Sequence, residues 1–258
     1  MKLSISNIAW NKEDDDEVLT FLCQNNYNAI EIAPTIILDN PYDNLDRIVE
    51  YRKNIKDKYH LDISSIQSIW YGKSGNIFNL EDRDELLSYT KKAILFASAI
   101  DCHNLVFGCP KNRNIPEGHK EDEVIDFFRC LGEYAKEHHT IIALEANPKI
   151  YNTNFLNKTI EAFNFARKIG SDGIKVNVDL GTIIENKESL DDIKNNIDLV
   201  NHVHISEPYL KEIEKRSIHK ELIDLLKSLD YDKYLSIEMK NLDSLKKLEE
   251  IILYIKEI

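Results

Sequence analysis

Lys175-Val176-Asn177-Val178-Asp179-Leu180 alternates polar and apolar side chains with a period of two. A β-strand puts such alternating sets on opposite faces. Three neighbouring stretches repeat the pattern. Ile142 and Leu144 alternate with Ile141, Ala143 and Glu145. Val203 and Ile205 alternate with His202 and His204, and Leu235 and Ile237 with Ser236 and Glu238. In a barrel one strand face meets the surrounding helices and the other meets the axis. The apolar sets belong against helices, so Glu145, Asp179, His204 and Glu238 point inward, at the strand ends where barrel enzymes place their active sites.

Working outward, short apolar runs alternate with helix-period stretches along the whole chain. Strands are expected near 2–9, 28–33, 61–69, 103–108, 140–146, 174–180, 199–205 and 233–238. Between them Val18, Phe21 and Leu22, then Val124, Phe127, Phe128, Leu131 and Ala135, and finally Leu242, Leu245, Leu248, Ile252 and Ile255 follow amphipathic-helix spacing. Gly170 stands where a helix-ending glycine would, and Ser189 with Asp192 where a helix would start. Strand–helix repeats imply parallel strands with helices outside. Eight units in 258 residues leave about 32 residues per unit, the spacing of a (β/α)8 barrel. An open doubly wound sheet typically opens on a glycine-rich turn, and this chain has no GxGxxG or P-loop. The expected fold is α/β, a single TIM-barrel domain over 1–258, with substrate choice left to short loops such as 34–44, 70–80 and 109–117.

The chain carries 45 acids and 33 bases, a formal charge of −12. That opposes a non-specific nucleic-acid binder, which presents a basic face. No run of about 18 apolar residues is present, which excludes a spanning helix. MKLSISNIAW lacks a secretory apolar core, and Cys23, Cys102, Cys109 and Cys130 form no CxxC pair. A cytoplasmic protein with free thiols is the expectation. The acidic runs Glu13–Glu17 and Glu121–Glu123 read as solvated helix starts, and His138 and His139 as a cationic helix terminus.

Three carboxylates and an imidazole from four consecutive strands need a cation or shared protons. Two carboxylates about 5 Å apart repel by roughly 3 kcal/mol at an effective dielectric of 20. An O,O,O,N set suits one divalent ion, Mn2+, Mg2+, Co2+ or Zn2+. Glu31 and Gln67, ending earlier strands, are candidates for sugar hydroxyls or for orienting a ligand. Trp70, with Trp10 and Phe107, is either an apolar wall against substrate or core. His202 shares the parity of His204 one layer deeper, as a support or a satisfied core histidine, and is also a candidate substrate contact. Asn147, Glu207 and Lys240 follow the ends of strands five, seven and eight and are further candidate substrate contacts. Lys111, Lys149 or Lys240 would be the holders of a phosphate or carboxylate.

Ala143-Leu144-Glu145-Ala146-Asn147-Pro148, Val176-Asn177-Val178-Asp179-Leu180-Gly181, His202-Val203-His204-Ile205-Ser206-Glu207-Pro208 and Ser236-Ile237-Glu238-Met239 resemble the conserved patches of the xylose-isomerase-like TIM-barrel superfamily. Its members include sugar-phosphate isomerases and epimerases, ketose 3-epimerases, dehydratases and the endonuclease IV group. The likeness to the ketose epimerases implies one divalent ion held by Glu145, Asp179, His204 and Glu238, with both glutamates as acid and base. Three departures mark this chain off from that branch: Thr182 stands where it has a histidine, Leu210 where it has an arginine, and Tyr151 where it has an acid. The resemblance thus implies a metal-dependent isomerase or epimerase of a sugar, sugar phosphate or related polyol, with a small carbohydrate as partner and no nucleic acid or membrane. A dehydratase on the same scaffold, an endonuclease IV-like phosphodiesterase and a non-catalytic ligand-binding barrel are the alternatives.

Overall fold

The structure is a computed structural model describing residues 1–258. Its eight parallel strands are β1 Lys2–Ser6, β2 Ala29–Ile32, β3 Asp62–Ile66, β4 Leu105–Phe107, β5 Ile142–Glu145, β6 Ile174–Asp179, β7 Val200–Ser206 and β8 Tyr234–Glu238. Each pairs with the next, and β8 returns to β1 with Leu3 opposite Leu235, so the sheet closes into a (β/α)8 barrel.

All eight expected strands form, mostly shorter than the apolar runs. β1 stops at Ser6 because Asn7–Ala9 turns into a short 3-10 segment. There Asn7 Oδ1 accepts the Ala33 backbone N–H at 2.8 Å, tying the turn to the end of β2. β7 is the exception and runs on to Ser206. His204 therefore sits two residues inside the strand, opposite Ser236, while Ser206 stands opposite Glu238.

The helix periodicities fold as amphipathic helices against the outer strand faces. Asp15–Gln24 buries Val18, Leu19 and Leu22. Ile125–Glu137 buries Phe127, Phe128, Leu131 and Ala135, with Val124 in the 3-10 turn before it. The last helix, Leu245–Glu257, starts after Leu242, because the Ser244 hydroxyl caps it by accepting from Lys247 N. Gly170 adopts φ +69 and ends Thr159–Ile169, as glycine can without a Cβ penalty. Gly173 permits a close approach to the helix: a Cβ there would lie 1.9 Å from Gly132 O.

Edge-to-face rings fill the layer between barrel and helices. Trp70 meets Phe107 at 4.8 Å, Phe107 meets Phe128 at 4.9 Å, and Phe128 meets Phe165 at 5.5 Å. Inside the barrel the usual branched apolar layers give way to small polar groups. Ser4 Oγ meets Ser64 Oγ at 2.6 Å, and Gln67 Nε2 donates to Ser6 Oγ at 2.6 Å. These short side chains leave room for the charged groups above them. No helix is long and apolar enough to cross a membrane.

Candidate active site at the C-terminal end of the barrel

Inward parity on β5, β7 and β8 delivers Glu145, His204 and Glu238 to one point. His204 Nδ1 lies 3.2 Å from Glu145 Oε2 and 3.2 Å from Glu238 Oε2. On its other side, His204 Nε2 lies 2.9 Å from Glu31 Oε2, and both residues are wholly buried. His202 Nε2 approaches the same oxygen at 3.3 Å. Two groups that could hold a metal ion are thus formed, Glu145–His204–Glu238 and, deeper, Glu31–His202–His204.

Asp179 shares the cleft but is turned aside. Its Oδ2 accepts from Thr182 N at 2.7 Å, capping the helix Leu180–Asn186, and lies 2.8 Å from Thr182 Oγ1. Its Oδ1 accepts from Ser206 Oγ. The structure therefore gathers three of the four expected ligands around His204 Nδ1, with the fourth on a helix cap beside them.

The electrostatics follow from burial and charge. Burial raises the Glu238 carboxyl to about 7, against the pull of His204. Burial opposes a charge on His204, yet Glu31 and Glu238 hold its pKa well above the ordinary value. Glu31 is likewise desolvated, and the two imidazoles still hold it below the usual carboxylate range. Desolvation and Glu145 raise Asp179. Four carboxylates here face few cations, and His204 carries the positive charge the cluster demands.

That donor set fits a divalent ion. Two carboxylate oxygens and an imidazole nitrogen already converge within ligating range. The histidine's far nitrogen is held by a carboxylate, as a metal-ligating histidine's usually is.

Both Glu145 oxygens are held by amides. Asn147 Nδ2 donates to Oε1 at 2.9 Å, and Asn177 Nδ2 donates to Oε2 at 2.6 Å. Asn147 is fixed in turn by Arg113, whose Nη2 donates to Asn147 Oδ1 at 2.9 Å while its Nη1 donates to Glu145 O at 2.8 Å. Arg113 is fully buried and has no carboxylate partner, and burial lowers its pKa to about 10. Sequence reasoning missed Arg113 and Asn177. Asn177 shares the inward parity of Asp179 and was findable by that signal. Arg113 lies in an aperiodic loop and bonds backbone carbonyls, which leave no mark in a sequence.

A cleft of about 190 Å3 opens above these groups, lined by Gln67, Asn147, Glu145, Asp179 and Glu238 among others. Its less polar wall includes Val106, Pro110, Tyr151 and Leu210. The Tyr151 hydroxyl accepts the Tyr209 N–H at 2.8 Å, which fastens this wall to the loop after β7.

Other expected contacts lie elsewhere. Trp70 is in the aromatic core, its indole N–H donating to Thr90 Oγ1 at 2.9 Å, and Phe107 is outside the barrel with it. Trp10 is buried and donates to Asp15 Oδ1 at 2.7 Å. Glu207 is buried under a two-point ion pair with Arg216, at 2.7 and 2.8 Å. Lys240 is exposed, and its backbone N–H donates to Leu210 O at 2.9 Å. Glu31 and His202 lie beneath the cleft rather than on its wall.

A larger cleft, about 400 Å3, opens at the other end of the barrel between Lys2, Asp62, Asn201 and Tyr234. It lies at the strand starts, away from Glu145 and Glu238, so the smaller cleft is the one the chemistry selects.

A family model described as xylose isomerase-like TIM barrel matches residues 21–258. No curated protein sequence matches the chain. Among solved structures, 3-keto-D-glucoside 4-epimerase from E. coli superposes with a TM-score of 0.81 at 16% identity, covering 100% of both chains. D-psicose 3-epimerase from Clostridium cellulolyticum H10, crystallised with D-tagatose, gives 0.79 at 13% identity over 100% of this chain and 97% of its own. The probable 3-DHS dehydratase from Bacillus anthracis gives 0.70 at 15% identity over 100% and 98%. At these identities the likeness establishes a shared fold.

Proposed function

This chain belongs to the xylose isomerase-like TIM-barrel family, and from that premise we propose that it is a metal-dependent isomerase or epimerase of a sugar, sugar phosphate or related polyol. The observation that carries the reading is the convergence of Glu145 and Glu238 on His204 Nδ1, at 3.2 Å each. Glu145, His204 and Glu238 would hold a divalent ion, with Asp179 completing the set once released from its cap. When bound, such an ion polarises a substrate carbonyl and stabilises the negative charge that develops on its oxygen.

The protein's own groups do the rest. Glu145 and Glu238 come from strands separated by two others in the barrel and face each other across the cleft floor. One takes the proton from carbon next to the carbonyl, and the other returns one. Burial raises the Glu238 carboxyl to about 7 before any ion binds, so in the ion-free site it can hold a proton near neutral pH. Asn147 and Asn177 keep Glu145 in place. Gln67 and Ser68, which line the cleft, would meet substrate hydroxyls. His60, His103 and His119 are exposed and none lines the cleft, which counts against an endonuclease IV-like multi-metal centre.

The test is a sugar screen in deuterated water, read by NMR, with metal-loaded and metal-stripped protein. Deuterium at carbon without loss of water is the expected result, abolished in Glu145→Gln and Glu238→Gln. An unsaturated or dehydrated product would assign the dehydratase reaction instead. Unchanged turnover and unchanged metal binding in both variants would sink the assignment.

A further inference from the structure

We propose that the substrate is an uncharged polyol sugar bearing neither phosphate nor carboxylate; this rests on the reaction reading above and narrows it. No lysine or arginine lines the cleft, whereas Glu145, Asp179 and Glu238 all do. Even with a divalent ion in place, three carboxylates leave the cleft negative, so an anionic substrate enters against the field.

The nearest guanidinium is engaged elsewhere, and the neighbouring lysines do not line the cleft. Arg113 is walled off and fully buried, its guanidinium spent on Glu145 O, Phe107 O, Leu156 O and Asn147 Oδ1. Lys111, Lys149 and Lys240, the sequence's candidates for a phosphate, are exposed and outside the lining. Lys211 sits over the Tyr209 ring at 5.7 Å, and Lys73 over the Tyr89 ring at 4.1 Å. Phosphate recognition needs bidentate arginine, lysine or a backbone nest. What the cleft presents is neutral polar groups, the Gln67 amide and the Ser68 hydroxyl, together with the apolar Val106, Pro110 and Leu210. Such an apolar wall receives the C–H face of a sugar, which a charged group would not join.

The experiment compares free ketoses and aldoses with their phosphate esters, D-fructose against D-fructose 6-phosphate among them, on the Mg2+-loaded protein. Saturation-transfer NMR reads binding, and deuterium incorporation reads turnover. Neutral sugars are expected to bind at least ten-fold more tightly than their esters. Leu210→Arg, which adds a cation to the wall, should narrow or invert that ratio. Equal or tighter binding of the phosphate esters by the wild type, or no transfer to any neutral sugar, overturns the inference. Binding of neutral sugars without deuterium incorporation removes the reaction reading and leaves the charge selectivity standing.

Discussion

His204 Nε2 lies 2.9 Å from Glu31 Oε2 across the barrel axis, at full burial. A carboxylate there takes an N–H, so Nε2 keeps its proton, and a cation that binds at Nδ1 would displace only the proton Nδ1 shares with Glu145 and Glu238. Glu31 thus sets which nitrogen a cation meets, although it lies below the cleft. Glu31→Gln keeps the shape and removes the charge. Affinity for Mn2+, measured by titration calorimetry, is predicted to fall by about 10–100-fold, the usual cost of losing such a partner. Unchanged affinity would show that Glu31 does not orient His204.

Asp179 can be separated into its two roles. Its carboxylate caps the helix Leu180–Asn186 through Thr182 N. Asparagine caps about as well as aspartate, but offers a neutral amide to a metal. Asp179→Asn is therefore predicted to unfold at nearly the wild-type temperature while losing at least ten-fold in metal affinity. A variant that binds metal as the wild type does would leave Asp179 a cap only.

The parity of β5 to β8 was enough to bring Glu145, His204 and Glu238 to one end of one barrel, because alternation decides which face a strand residue takes. It could not say which rotamer Asp179 adopts, since the competing partners Thr182 N and Ser206 Oγ come from the turn and from a neighbouring strand. Loop residues were least legible. Trp70 follows β3 much as Gln67 does, yet it rotates outward into the aromatic layer while Gln67 lines the cleft. Glu207 follows His204 by three residues, but Arg216, nine residues further on, captures it. Such partners are fixed by tertiary packing, and no period in the sequence encodes them.

Arg113 is predicted to be costly to lose. Arg113→Met would strip donors from Glu145 O and Asn147 Oδ1, both buried. Each unsatisfied group costs about 1–3 kcal/mol. Urea denaturation should show a loss of roughly 2–4 kcal/mol, part of the penalty being offset because the lone buried guanidinium goes too. Stability equal to wild type would mean that water replaces the guanidinium and that Arg113 does not position Asn147.

His219 gives a pH dependence away from the proposed metal ligands. It is buried on the helix Ser217–Ser228, with Nδ1 3.1 Å from the Tyr254 hydroxyl and Nε2 without a partner. Burial lowers its pKa below the ordinary 6.5. Above that value the ring is neutral in both folded and unfolded chains and contributes nothing to the pH slope. As pH falls below 6.5, the unfolded chain takes up a proton that the folded one refuses, and stability drops until the folded pKa is reached. His219→Gln, which has no such proton to take up, should lose less stability than the wild type between pH 7.5 and 5.5, measured by chemical denaturation at each pH. An identical drop in both proteins would place the acid sensitivity in other groups.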